Sequence, residues 1–149
     1  IITKYKNAFA AIPLLVSFIP MLMDTGGNCG SQSSTLIIRG IALGEIRFSD
    51  LFRVMFKEFR VSLIVGVVLA LANGLRILIM YRNAGLALVI GLSLVATVII
   101  SKLIGCLLPL FAKKLHMDPA IMASPLITTL VDTCSILIYF NIATRIFQL

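Results

Sequence analysis

The apolar residues of this chain come in long unbroken runs, without the strict alternation of half-buried strands. Between Lys6 and Arg39 only Asp24 is ionisable. One helix over that stretch would measure about 48 Å at 1.5 Å per residue, against a bilayer hydrocarbon core of about 30 Å. The segment Asp24-Thr25-Gly26-Gly27-Asn28-Cys29-Gly30-Ser31-Gln32 is rich in glycine and small polar residues, so it predicts a broken or unwound span. Asp50 to Arg60 reads as a charged, amphipathic approach, with Phe52, Met55, Phe56 and Phe59 on one face. It leads into the apolar stretch Val61–Leu75, which continues past Arg76 to Tyr81. Asn83-Ala84-Gly85 predicts a turn, and Leu86 to Ala112 the next span, interrupted by Lys102 and Pro109. After a polar loop, Asp118 is the expected N-cap and Pro119 the first turn of a last helix reaching about Ile146. Asp132 would stand at its centre. The expected fold is all-α: a polytopic membrane helix bundle, four spans in this chain, the first broken or unwound.

Composition supports lipid as the solvent. Hydrophobic residues make up 60% of the chain and charged ones 13%, against about 45–50% and about 25% in soluble domains. The net charge of +7 does not indicate nucleic acid, because the basic residues sit at the ends of apolar runs. The side bearing Arg39, Arg47, Arg53, Lys57, Arg60, Lys113 and Lys114 outweighs the side bearing Lys4, Lys6, Arg76, Arg82 and Arg145. That bias puts loops 39–60 and 113–118 in the cytoplasm of a multi-pass protein of the cell (plasma, inner) membrane. Both termini then face outward. The chain opens on Ile1-Ile2 without a signal-cleavage pattern, so it is expected to be a fragment with a span missing upstream. With no Trp, any aromatic belt falls to Tyr5, Phe9, Tyr81, Tyr139 and Phe140. Cys29, Cys106 and Cys134 are too scattered for a zinc site or disulfide framework, and His116 sits in the polar loop.

Asp132 carries the sharpest chemical signal. A mid-membrane Asp costs about 2.5–3.5 kcal/mol on insertion scales and is expected to face protein or water. Thr128, Asp132 and Ser135 fall on one helical face. An ion site and a carboxylate satisfied between helices are the competing readings. In the glycine segment, Thr25, Asn28, Ser31 and Gln32 add neutral oxygens, and unwound backbone at membrane depth must line a cavity or be buried in protein. The competing reading there is close helix packing through Gly26-x-x-x-Gly30 and Gly40-x-x-x-Gly44. Oxygen-rich chemistry without sulfur or imidazole selects a hard cation, and a site with few carboxylates suits magnesium, which keeps its waters. Lys102 is expected to snorkel to the cytoplasmic interface, with partnership to a carboxylate as the alternative.

Two stretches carry a family resemblance. Pro20 through Thr35, followed by Arg39-Gly40-Ile41-Ala42-Leu43-Gly44-Glu45-Ile46, resembles the MgtE family. So does Asp118-Pro119-Ala120 through Ser124-Pro125-Leu126-Ile127-Thr128-Thr129-Leu130-Val131-Asp132 to Ile138-Tyr139-Phe140, with Gly105, Leu108 and Pro109 before it. The resemblance covers nearly the whole chain. It implies a dimeric, magnesium-selective channel or transporter whose membrane domain has five helices, the second and fifth lining a pore at the dimer axis. Residues 1–149 would be a single transmembrane pore domain holding helices two to five. The resemblance makes Asp132 the central pore acid that holds hydrated Mg2+, the transported ion, and places Asn28 at the pore. Expected metal contacts are Asp132, Asn28 and the Thr128 backbone carbonyl. The expected pore lining is Gly26, Gly27, Asn28, Gln32, Ser124, Thr128 and Asp132. Ser124 and Thr128 replace the Asn and Ala of some relatives. Implied partners are a second copy, the bilayer, an upstream helix and cytoplasmic CBS-type regulatory domains. A rival from another class is an intramembrane aspartyl protease, since Asp24-Thr25-Gly26 matches a short protease motif and Asp132 offers a second acid. The match is three residues long, and soluble aspartic proteases are β-rich. A third reading, an assembly subunit without a pore, leaves a central Asp unexplained.

Overall fold

The computed structural model describes residues 13–122 and 125–148, so Tyr5, Phe9 and Ser124 lie outside the described residues. A short helix α1 (Leu14–Ser17) leads into α2 (Ile19–Ala42). A 3-10 turn (Phe48–Asp50) precedes α3 (Leu51–Tyr81), and α4 (Ala84–Lys114) follows after a tight connection. A second 3-10 turn (Pro119–Met122) leads to α5 (Pro125–Phe147). Among the described residues there is no strand. The long helices alternate in direction, and α4 packs against α2, α3 and α5 at the centre.

The glycine segment is helical, which corrects the expected unwinding there. The interruption falls earlier, at Phe18, between α1 and α2. Pro20 accounts for it: a proline has no N–H to offer the carbonyl four residues back, and its ring crowds that carbonyl. Glycine remains helical downstream because its missing Cβ is what lets the neighbouring helices approach. A Cβ on Gly26 would stand 2.7 Å from Val131 Cγ1 and 2.9 Å from Thr97 Cγ2, and one on Gly105 would strike the Gly30 carbonyl. On α3 the same device brings Gly66 against Val95, where an added Cβ would stand 3.1 Å from the Val95 Cα.

The last helix starts at Pro125, not Pro119. Asp118 Oδ1 does accept the Ala120 N–H at 2.9 Å, but it caps the 3-10 turn. A helix resumes at the next proline because the residue before a proline avoids helical backbone, while proline itself suits the first position. Asp132 therefore stands about 10 Å from the start of α5, in its first third, and not at its centre. The turn between α3 and α4 sits at Arg82 and Asn83. Arg82 takes a left-handed conformation (φ 49°), and the Asn83 side chain accepts the Leu86 N–H at 3.0 Å.

Among the described residues three helices are long and apolar enough to cross a membrane: Phe48–Tyr81, Ala84–Lys114 and Pro125–Phe147. Of the four expected spans, α2 has the length, 24 residues, but its glycines and hydroxyls lower its hydropathy. Two apolar clusters hold the bundle together. One gathers Leu15, Leu22, Ile77, Leu86, Ile90, Leu94, Tyr139 and Phe140, and the other Ile37, Ile41, Cys106 and Leu110. Between them lies a waist of small and polar residues. At the end of the second cluster the turn between α2 and α3 meets the end of α4, where the loop to α5 begins: Phe48 lies edge-on to Phe111, 5.7 Å between centroids, and the Lys114 ammonium is 4.4 Å from the centroid of the Phe48 ring. Phe52, Phe56 and Phe59 point away from the bundle, as expected of a lipid-facing stripe.

Candidate functional site: a polar groove between α2 and α5

The close packing of α2 on α5 sorts the glycine segment into two faces. Gly26 and Gly30 face inward against Val131, Thr97 and Ile127. This is the packing arrangement, and Gly26 does not line the groove described next. Gly40 packs elsewhere, under Ile46 of the returning loop, and Gly44 forms the turn there with φ 73°.

The opposite face of α2 is open. A groove of about 390 Å³ is lined by Met23, Asp24, Gly27, Asn28, Ser31, Thr128 and Asp132. Asn28 and Ser31 also line an adjoining hollow of about 610 Å³ with Gln32, Thr35 and Leu36. Asp24, Asn28, Ser31, Gln32 and Thr35 recur at helical spacing, so one side of α2 carries a continuous polar track. Gly27 lets Thr128 approach: a Cβ there would be 3.3 Å from Thr128 Cγ2.

On α5 the hydroxyls turn back onto their own helix. Thr128 Oγ1 and Thr129 Oγ1 donate to the Pro125 carbonyl at 3.0 and 2.8 Å, and Thr133 Oγ1 to the Thr129 carbonyl at 2.8 Å. Thr129 and Thr133, both exposed, keep lone pairs to offer. The Thr128 carbonyl lies inside regular helix, as does that of Gly27. Side-chain oxygens, not unwound backbone, are thus the groove's main supply. Ser135 parts company with Asp132: it is buried, donates to the Val131 carbonyl at 2.7 Å and packs on Gly26. Asp132 is half-buried, and its carboxylate has no hydrogen bond or ion pair among the described residues.

Asp24 is the residue whose place the sequence obscured. It stood out as the one ionisable residue of its stretch and through a protease-like tripeptide, with no ion-site role expected of it, yet it shares the groove with Asp132. The signal was its spacing, since Asp24 and Asn28 are one helical turn apart. Among the described residues no three His, Cys, Asp or Glu side chains converge as a metal cage.

A second polar cluster lies deeper. Lys102 does not snorkel: it is 5% exposed, 3.6 Å from Glu58 Oε2, and it donates to Ser33 Oγ at 3.2 Å. Ser33 in turn donates to Glu58 Oε2 at 2.6 Å. A carboxylate partner thus explains Lys102. Sequence reasoning missed Glu58 because it sits in a charged approach segment. The stripe Glu58, Ser62 and Gly66, all buried at four-residue spacing on an otherwise apolar helix, was the available signal.

Comparison with known proteins places the sequence in a family. The family model MgtE, described as a divalent cation transporter, matches residues 19–142. Three proteins named magnesium transporter MgtE are similar across almost the whole chain. The one from Bacillus subtilis is 40% identical over 97% of this chain and 32% of its own length. That from Thermus thermophilus is 35% identical over 99% and 33%, and that from Enterococcus faecalis 33% over 97% and 32%. The chain thus spans about a third of the length of these curated relatives. On the strength of that match, the chain belongs to the MgtE family of divalent cation transporters.

Proposed function

We propose that the chain forms one half of a magnesium pathway across the cell membrane, with Asp132 as its central charge. The observation that carries this reading is the unpartnered Asp132 carboxylate, aimed into a groove with Asp24, Asn28, Ser31 and Thr128. A carboxylate at membrane depth must face water or a counter-charge. An open polar groove in a lipid-exposed bundle calls for a cover, and a second copy supplies one by symmetry. A two-fold axis along the groove would bring two Asp132 and two Asn28 together, since such interfaces pair each patch with itself. Few carboxylates beside amide and hydroxyl oxygens suit a hard cation that keeps its water shell. Asp132 supplies the charge, and Asn28, Ser31, Gln32 and Thr128 hydrogen-bond the ion's waters. The relatives' names point to the same ion. In this arrangement loops 39–60 and 113–118 face the cytoplasm, and regulatory domains of the longer protein act on the pore from that side.

The test is passive uptake. Full-length protein is reconstituted in liposomes holding a magnesium dye, under an imposed voltage. Wild type is expected to admit magnesium, and Asp132→Asn to lose at least about a hundredfold in rate while remaining a folded dimer, as for removal of the one charge at the centre of the pathway. Normal uptake by the variant overturns the assignment of Asp132. The acid pair Asp24 and Asp132 also permits a check on hydrolysis: cleavage of membrane peptides by wild type would restore the protease reading.

A further inference from the structure

The waist of the bundle holds a closed polar triangle drawn from three helices: Ser33 on α2, Glu58 on α3 and Lys102 on α4. Ser33 donates to Glu58 at 2.6 Å and accepts from Lys102 at 3.2 Å, while the two charges stand 3.6 Å apart. All three are almost fully buried, the charged side chains at 6% and 8% exposed. The triangle lies between the two apolar clusters, about 10–18 Å inside the helix ends where the two loops meet. It is not part of the groove. Ser33 shares the inward face of α2 with Gly26 and Gly30, whereas Asn28 and Gln32 face out.

That placement has a mechanical consequence. Leu22 anchors one end of α2 in the first apolar cluster and Ile37 and Ile41 anchor the other in the second; between them α2 is seated on α4 and α5 through Gly26 and Gly30, which let backbones approach but offer no knob to fix the rotation of that stretch. Side-chain hydrogen bonding gives little further purchase; Arg76 reaches Met21 Sδ at a weak 3.6 Å. A buried ion pair resists displacement because separating its members leaves an uncompensated charge in a low-dielectric interior. The hydroxyl of Ser33 ties α2 to both members at once.

We infer that Ser33, Glu58 and Lys102 are positioning residues: they fix the register of α2 so that Asn28 and Gln32 are presented to the groove, and they set the rate of ion passage without touching the ion. The part concerning rate rests on the proposed magnesium pathway; the part concerning register does not.

Two measurements separate these parts. In a cysteine-free background, Gln32→Cys is labelled by a membrane-impermeant thiol reagent, and magnesium uptake is assayed separately in protein that keeps Gln32. Lys102→Met and Glu58→Gln are expected to change the labelling rate by about threefold or more and to cut maximal uptake by about tenfold, with the half-saturating magnesium concentration held within about twofold, because a small misplacement acts on rate. The reciprocal exchange Glu58→Lys with Lys102→Glu restores labelling and rate. The apolar pair Glu58→Leu with Lys102→Met folds as stably as wild type, as buried ion pairs replaced together often do, yet keeps the altered labelling. Wild-type labelling in that apolar pair overturns the positioning role and leaves the triangle a packing feature. Unchanged labelling in both single variants, with protein monodisperse in detergent, overturns it as well. Altered labelling in variants of a wild type that admits no magnesium supports the register claim and overturns the magnesium pathway.

Discussion

At the scale of single residues, the same amino acid does opposite work on the two faces of α2. Gly105 meets the carbonyl of Gly30, so an added methyl has only rigid backbone to push against. Gly27 meets the side chain of Thr128 at 3.3 Å, at the rim of an open groove. Gly105→Ala is therefore expected to destabilise the bundle by about 1–3 kcal/mol, the usual cost of overpacking. Gly27→Ala should cost well under about 1 kcal/mol, since a small shift of Thr128 relieves it. Thermal denaturation in detergent, followed by loss of monodisperse protein, distinguishes them. Equal losses would mean that α2 and α4 part more easily than their contact suggests. Asp132 presents the complementary case: its carboxylate touches no partner among the described residues, so under the proposed pathway its removal is expected to show in flux and not in stability.

At the scale of elements, the break before α2 is more than a proline defect. Tyr139, fully buried on α5, donates its hydroxyl to the Leu15 carbonyl at 2.8 Å. The broken end of one helix is thereby pinned to the middle of another, 124 residues away in sequence. Phe18 stacks edge-on against Tyr81 at 5.9 Å, holding the same corner to α3. Tyr139→Phe keeps the ring in the apolar cluster and removes only the hydroxyl. It is expected to destabilise by about 1–2 kcal/mol, the cost of leaving a buried carbonyl without that donor. A fall in the midpoint of thermal denaturation, with magnesium uptake largely retained, is the predicted result. An unchanged midpoint would show that the Leu15 carbonyl is satisfied from within its own turn.

At the scale of the whole molecule, the exposed surfaces differ in kind. α3 turns Ile64, Val68, Leu71 and Ile79 outward, an apolar wall suited to lipid tails. The side formed by α2 and α5 instead exposes Asn28, Gln32, Thr129 and Thr133. Lipid satisfies the first and not the second, so the second is the face expected to meet another copy. In a cysteine-free background, Thr129→Cys is expected to give covalent dimers on mild oxidation in membranes, and Ile64→Cys to give few. The ratio of cross-linked to free chain, read on a non-reducing gel, checks this, with a difference of about tenfold expected from proximity alone. Efficient coupling through Ile64→Cys with none at Thr129→Cys would move the dimer axis to α3 and leave the groove facing lipid.

The apolar runs and the charges between them were sufficient for a helical membrane bundle, because in hydrocarbon the backbone must satisfy its own hydrogen bonds and only a few solutions do so. The two stretches around Asn28 and Asp132 were sufficient for the family, through residue types and spacing. Which way each small residue faces was not legible. The choice of Gly26 and Gly30 for packing and Asn28 and Gln32 for the groove depends on where α4 and α5 lie, and no local periodicity holds that information when nearly every position is small. Helix starts were ambiguous for a local reason: Asp118-Pro119 and Ser124-Pro125 are both competent beginnings, and the long helix takes the second while the first opens a 3-10 turn. Lys102 shows the limit most clearly. Alone it read as a cation reaching for water, and its partners, Glu58 and Ser33, lie 44 and 69 residues away. Sequence set the solvent, the elements and the family; three-dimensional proximity decided which charges are neutralised and which one, Asp132, is left open to the groove.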